Sequence, residues 1–375
     1  MEKIIIVGVA PPYRGGISLH NALLYKHLSK NFNVLCYNFI RQYPNFLFPG
    51  KTQYELDKSA VPIKSNRILD SINPFTWYRT ANKILDHKPD LVIFRSWNPF
   101  FCIMFGIIAK KIKSRSSIKC MVICDNIFPH EKSFFDKYLM SFFLNKMDLF
   151  IVQSSIVEKE LISLVCNPKY LRLFHPIYNV FGELQDQASA RKKINLNTKY
   201  IILYSGLVRS YKGFDILIKS VNYLKDQLDD FLVLAIGESY ENEKKYRELI
   251  KKEGIEDFFI WENRYVPDNE MNQYFSACDV VALPYKSASQ SGIIPIAYHF
   301  NKPVVVTDVG GLPDMVENNK TGFIIKSNNS KLLANVLAEN LKENRFKNMS
   351  QNINEFKKQF SWDNFIKGII SLLKN

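Results

Sequence analysis

Residues 279–314 leave the chain few ways to fold. They open on a short apolar run from Asp279 to Pro284, which reads as a buried strand. A loop of small residues follows, Ser287-Ala288-Ser289-Gln290-Ser291-Gly292, and then an apolar segment with helical spacing at Ile293, Ile296, Ala297 and Phe300. Pro303 opens a second strand, Val304-Val305-Val306-Thr307, that runs out at Gly310-Gly311. The two strand-to-loop transitions lie about 25 residues apart, the spacing of one βαβ unit. Each sets small residues at the carboxyl end of a strand, where open α/β sheets bind ligands. The first also leads into a helix, whose free N–H groups suit a phosphate. Glycine and serine are ordinary turn residues as well, so this loop alone does not separate a phosphate site from a plain turn.

The length, 375 residues, suggests two domains, and a hydrophobic content of 47% can fill two cores. Six cysteines (36, 102, 120, 124, 166 and 278) are scattered through apolar runs without metal-ligand spacing, as in the reduced core of a cytoplasmic protein. Met1-Glu2-Lys3 runs straight into a strand, so no signal peptide is expected. The most apolar stretch, 98–109, is about 12 residues long, short of the roughly 18 that span a bilayer. The formal charge of +14 is uneven: residues 1–180 hold 24 Lys/Arg against 12 Asp/Glu. That excess suits an anionic partner, whether phosphates, a membrane surface or nucleic acid, and Lys110, Lys111, Lys113, Arg115 and Lys119 are its densest cluster. A solvated helix end explains the cluster equally, and no nucleic-acid-binding module is present in the spacing.

Residues 3–9 form a continuous β-branched run, the mark of a strand buried on both faces. The loop Ala10-Pro11-Pro12-Tyr13-Arg14-Gly15-Gly16 follows, and its glycines let backbone approach a ligand. Ser18 is placed to cap a helix over 19–29, and 32–39 is the next strand. The opening lacks G-x-G-x-x-G and an acidic residue after its second strand, which counts against a dinucleotide site. Residues 40–80 read as a long aromatic and proline-rich loop, and 77–85 as a helix. After a strand at 119–124, Asp125, His130 and Glu131 set three titratable groups on one loop, where acid–base chemistry could sit. An Asx turn at Asp125 is the plainer reading. Residues 133–147 fit a helix with a broad apolar face and basic flanks, for core packing or for a membrane surface. The domain boundary falls near residues 179–182.

The second half begins with a strand at 200–204 and then Ser205-Gly206-Leu207-Val208-Arg209-Ser210-Tyr211-Lys212-Gly213. Gly206 permits close backbone approach, while Arg209 and Lys212 set two cations at a strand end. A strand at 258–262 leads through Asn263-Arg264-Tyr265-Val266-Pro267 into a further helix.

The order G-x-V-R-x-x-K-G, then V-P-x-x-E-x-x-x-Y-F-x-x-x-D-V-x-x-L-P-Y, then a Ser/Gly loop, then K-P-V-V-V-T-D-V-G-G-L-P-D resembles the family-4 (group 1) retaining glycosyltransferases of the GT-B fold. The likeness covers nearly the whole chain and is most specific over the second half. It implies two doubly wound parallel-sheet, Rossmann-like domains with a cleft between them. They would span 1–180 on the acceptor side and 181–355 on the donor side, with a last helix, 356–375, crossing back to the first. It also implies a metal-independent enzyme without a cofactor, using a UDP- or GDP-linked sugar as co-substrate. By the same resemblance Arg209 and Lys212 hold the donor diphosphate and serve catalysis. Ser289, Gln290, Ser291 and Gly292 give N–H groups to phosphate, and Arg264, Tyr265 and Val266 form the base pocket. Gly15-Gly16 closes over phosphate and acceptor, and Gly206 and Asp314 join the donor-binding candidates, Asp314 in part for the carboxylates that the family carries elsewhere.

Two positions depart from the family. Many members carry two glutamates eight positions apart where Ala288 and Ile296 stand here, although a subset shares the Ser-x-x-Gln-Ser-Gly form. Asp125 stands where many have a histidine, with His130 five residues on, so both enter as catalytic candidates. The expected function is sugar transfer to a glycan or lipid-linked acceptor in capsule, O-antigen or exopolysaccharide assembly. The enzyme would be cytoplasmic, with the basic first domain on the inner face of the plasma membrane and no nucleic-acid partner. A nucleotide-sugar epimerase of the same fold and a non-catalytic sugar-nucleotide-binding relic are the alternatives.

Overall fold

The computed structural model describes residues 3–44, 52–54, 61, 63–128 and 134–374. It divides into two compact units, Met1–Phe174 with Trp362–Asn375, and His175–Ser361. Among the described residues, both are built on wholly parallel sheets.

The first unit has seven strands: β1 (Lys3–Val7), β2 (Asn33–Arg41), β3 (Ser65–Asp70), β4 (Leu91–Ser96), β5 (Lys119–Cys124), β6 (Leu149–Val152) and β7 (Tyr170–Arg172), in the order β3-β2-β1-β4-β5-β6-β7. The central strands are buried along their length because helices cover both faces, which is why they read as unbroken apolar runs. The helices are α1 (Gly16–Leu28), α2 (Pro74–His87), α3 (Cys102–Lys113), α4 (Asp136–Leu144) and α5 (Ser155–Leu164). The C-terminal helix Trp362–Lys374 also packs in this unit: Trp362 stacks on His27 of α1 at 4.9 Å between ring centres.

The second unit has six strands: β8 (Tyr200–Ser205), β9 (Phe231–Ile236), β10 (Phe259–Glu262), β11 (Val280–Leu283), β12 (Val304–Thr307) and β13 (Gly322–Ile325), in the order β10-β9-β8-β11-β12-β13. The order reverses between β8 and β11, and at such a switch point the loops leaving the two strands diverge and open a crevice.

Several local expectations need correction. The first helix begins at Gly16, so Ser18 lies inside it, buried, rather than at its cap. β2 extends to Arg41, and β3 lies within what reads from sequence as loop. The aromatic segment 46–50 falls outside the described residues. Cys166 is exposed, whereas the other five thiols are buried.

Candidate functional site

In the second unit five loops at the carboxyl edge of the sheet interlock. The peptide N–H of Val208 donates to Glu238 O at 3.0 Å, and Tyr240 N returns a bond to Val208 O at 3.1 Å, zipping the loops after β8 and β9. Ser239 N donates to the Asn263 side chain at 2.7 Å and so ties in the loop after β10. Lys286 N donates to Tyr211 O at 2.7 Å, and Lys286 Nζ pairs with Asp215 at 2.8 Å, joining the loop after β11 to that after β8. Gly310, at φ +54°, presses on the carbonyl of Ala288, where a Cβ would stand 1.4 Å from the oxygen. The loop after β12 thus fixes the backbone that carries Ser289, Gln290, Ser291 and Gly292.

Lys212 Nζ points back at Gly206 and would lie 3.2 Å from a Cβ there; Ile293, the first residue of the helix Ile293–His299, closes on the same glycine at 3.6 Å. The ammonium also lies 5.3 Å from the centre of the buried Tyr285 ring. Burial holds the Lys212 ammonium below its ordinary pKa, and the neighbouring charge of Arg209 adds to this while Tyr211 opposes it. Burial likewise pushes the Tyr285 phenol up to about 12, moderated by the Ser291 side chain beside it. The Arg209 guanidinium lies 5.2 Å over the Tyr240 ring. Among the described residues, neither Arg209 nor Lys212 forms an ion pair with a carboxylate. The loop thus carries two cations without a carboxylate ion-pair partner, Lys212 half-buried against Gly206, while the Glu241 carboxylate accepts from Ser210 N between them.

Ser291 is buried and its hydroxyl accepts from Ile293 N at 3.2 Å, while Gly292 is exposed. The helix that follows is only seven residues long and has Pro295 at its third position, so its N-terminus offers fewer N–H groups than the spacing suggests. Asp314 lies half-buried in the turn Pro313–Met315 after β12.

Arg264 is differently placed. Its guanidinium bonds Glu262 at 3.0 Å, Glu270 at 2.6 Å and the Tyr274 hydroxyl at 2.8 Å. The Glu270 hydrogen bond foremost, outweighing burial, raises its pKa further above the usual arginine value. Two carboxylates therefore neutralise this cation, and it shapes the segment of half-buried Tyr265 and buried Val266 instead of offering charge to a phosphate.

In the first unit Gly15 takes φ +110°, and a Cβ on either Gly15 or Gly16 would meet nothing within 4 Å. The loop is held from beneath by Asn38, whose amide donates to Ala10 O at 2.9 Å and Pro11 O at 3.0 Å and accepts from Ala10 N at 3.1 Å. Asp125 follows β5, as the spacing predicts, but its surroundings differ from those of an acid–base group. Arg95 of β4 grips both oxygens, at 2.5 and 2.6 Å, and reaches Asn21 of α1 at 3.2 Å; Asn21 in turn donates to Val9 O at 2.8 Å. The carboxylate is engaged in a buried bidentate pair that ties β5, β4 and the loop after β1 together. His130 and Glu131 lie outside the described residues. Arg95 and Asn38 escape sequence reasoning; the only signal for Arg95 is a lone cation inside an apolar strand.

Residues 186–360 match the family described as glycosyl transferases group 1. An uncharacterized glycosyltransferase of Methanocaldococcus jannaschii is 22% identical over 98% of this chain and 96% of its own length. A D-inositol 3-phosphate glycosyltransferase of Corynebacterium aurimucosum is 28% identical over 48% of this chain, which spans 44% of that relative. Anabaena HepE in complex with UDP superposes with a TM-score of 0.78 at 16% identity, covering 100% of both chains. Sucrose-phosphate synthase from Thermosynechococcus elongatus gives 0.79 at 16% identity, covering 100% of this chain and 98% of that one. The second half of the chain thus matches the group 1 glycosyltransferases, and the chain has the GT-B fold.

Proposed function

We propose that this glycosyltransferase moves a sugar from a UDP- or GDP-linked donor to a glycan or lipid-linked acceptor, with retention at the anomeric carbon and without a metal or cofactor. The carrying observation is the pair Arg209 and Lys212, two cations without ion-pair partners among the described residues, set on the switch-point loop beside Gly206 and Ser291. Cleavage of the anomeric C–O bond leaves its electrons on the diphosphate. Fixed positive charge where that negative charge grows lowers the barrier, commonly by about 3–4 kcal/mol for one well-placed group. Serving that charge with Arg209 and Lys212 leaves no step for a metal.

The structures of HepE with UDP and with UDP-glucose support a nucleoside diphosphate on this fold. In this reading Gly206, Ser289, Gln290, Ser291 and Gly292 meet the phosphates, Arg264, Tyr265 and Val266 border the base, and Asp314 reaches the sugar or ribose. Residues 1–180 would serve the acceptor side and 181–355 the donor, with 356–375 returning to the first, and Gly15-Gly16 would face the acceptor. Asp125 is held in its buried pair with Arg95, which also reaches Asn21, and so positions that loop. Cell-surface polysaccharide assembly, in the cytoplasm and at the inner membrane face, suits the basic first half.

The test is release of nucleoside diphosphate from a panel of UDP- and GDP-sugars in the presence of chelator, with NMR assignment of the product anomer. An inverted product, or turnover that stops with chelator and returns with metal, contradicts the reading.

A further inference from the structure

Helix α4 is apolar on two faces. Inward it buries Met140, Phe143 and Leu144. Outward, Phe134, Tyr138 and Phe142 recur every four residues and are 79%, 64% and 38% exposed, and Phe135 is 68% exposed. The rings touch one another, with Phe134 centred 5.8 Å from both Phe135 and Tyr138. A packed helix gains nothing within its own unit from such a stripe, since the burial that stabilises the fold is on the opposite side.

The stripe continues onto neighbouring helices. Phe142 lies across Gly106 of α3, where a Cβ would come within 2.4 Å of the ring, and Ile103, one turn earlier, is half exposed. On α2, which packs beside α3, Phe75 is 85% exposed and Tyr78 partly so, as is Ile72 just before the helix. All three helices connect parallel strands, so each begins at the carboxyl edge of the sheet. The exposed apolar residues lie just before or within the first two turns of each helix and therefore gather along that edge. The Gly15-Gly16 loop, which leaves β1, lies along the same edge.

Cations lie on the same helical layer, Lys137 beside the aromatic stripe and the rest toward the opposite, amino edge of the sheet, where α3 ends and β5 begins. Lys137 is exposed on α4; α3 ends on Lys110, Lys111 and Lys113, and Arg115 and Lys119 follow. Lys113 pairs with Asp148, and Lys111 lies 5.0 Å from the Tyr78 ring centre. Lys110, Arg115, Lys119 and Lys137 form no ion pair among the described residues. Aromatic rings partition into the headgroup layer while lysines and arginines meet lipid phosphates, and a bilayer demands no matching shape.

We propose that the α2–α3–α4 face of the first unit docks on an anionic lipid bilayer. Phe75, Phe134, Phe135 and Tyr138 enter the headgroup region, and Lys110, Arg115, Lys119 and Lys137 meet the phosphates. The inference rests on the proposed function for its purpose alone: docking brings the Gly15-Gly16 edge to the surface that carries a lipid-linked acceptor.

Vesicle flotation of the full chain tests it. The chain floats with phosphatidylcholine vesicles containing phosphatidylglycerol, not with pure phosphatidylcholine, and less at high salt. The double variant Phe134→Ser/Tyr138→Ser lowers partitioning about tenfold or more. Lys110→Ser/Lys137→Ser lowers it too and flattens its salt dependence. Circular-dichroism spectra and thermal melts of both variants match the wild type, which shows that the first unit folds, and nucleotide binding by calorimetry is unchanged. If no nucleotide binds while flotation and its losses stand, the donor reading fails and the docking face holds. Failure of the wild type to float, or equal flotation of the variants, overturns the proposal. So does a dimer in gel filtration that the aromatic variant dissociates while no chain floats, which would assign the face to a second copy.

Discussion

Arg95 encloses both carboxylate oxygens of Asp125, with Nε at 2.5 Å from one and a terminal nitrogen at 2.6 Å from the other, and both side chains are almost sealed from water. An ion pair so deeply buried is costly to break because the survivor keeps its charge without a partner.

Asp125→Ala therefore destabilises the first unit by about 3–5 kcal/mol, and urea denaturation measures it. The double replacement Arg95→Leu/Asp125→Leu regains most of that loss. An Asp125→Ala chain of unchanged stability that had lost only turnover would return Asp125 to proton transfer.

Gly310 and Gly292 separate structural from permissive glycines within one site. Alanine at 310 meets both the left-handed φ and the Ala288 carbonyl, so Gly310→Ala costs about 2–4 kcal/mol or shifts the 289–292 backbone. Gly292→Ala meets nothing within 4 Å and stays near neutral in a thermal melt.

Lys212 sets an alkaline limb. Burial lowers its pKa in the free protein, so the unfolded chain binds more protons between that value and the ordinary lysine value near 10.4. Stability gains a rising contribution with pH across this window, while affinity for a diphosphate falls as the ammonium is lost. Calorimetric titrations across pH show the decline in the wild type and lack it in Lys212→Met.

His27, stacked on Trp362, ties α1 to the C-terminal helix. Burial first, and Lys30 next, hold its imidazole below the ordinary value, with Asp363 opposing. The unfolded chain takes up this proton first, so His27 weakens the fold as pH falls through about 6.5. The melting temperature of His27→Phe then drops less on acidification than that of the wild type.

Much of the second unit is legible in sequence because β8, β11 and β12 are buried on both faces and carry unbroken apolar runs. The edge strands are not. β3, Ser-Asn-Arg-Ile-Leu-Asp, is half exposed and has no apolar run, and β7 is three residues long. The Asp125 pair is hidden for a different reason. Arg95 lies 30 residues upstream, and only the register that sets Arg95 beside Ile123 and Ser96 beside Cys124 brings it to the carboxylate. The enclosure of Arg264 by Glu262 and Glu270 is likewise not legible, since the three meet only through the turn that joins β10 to the next helix.

Calorimetric titration with UDP, GDP and their sugar conjugates, on the wild type and on Arg209→Ala, Lys212→Ala and Arg264→Ala, tests the central claim most directly. One nucleoside diphosphate binds saturably. Arg209→Ala and Lys212→Ala each weaken it by about 1.5–3 kcal/mol, roughly 10- to 150-fold, as expected for charge-assisted bonds. Arg264→Ala, whose charge Glu262 and Glu270 already neutralise, weakens it far less. Binding that survives loss of either loop cation, or no binding of any nucleotide, contradicts the account.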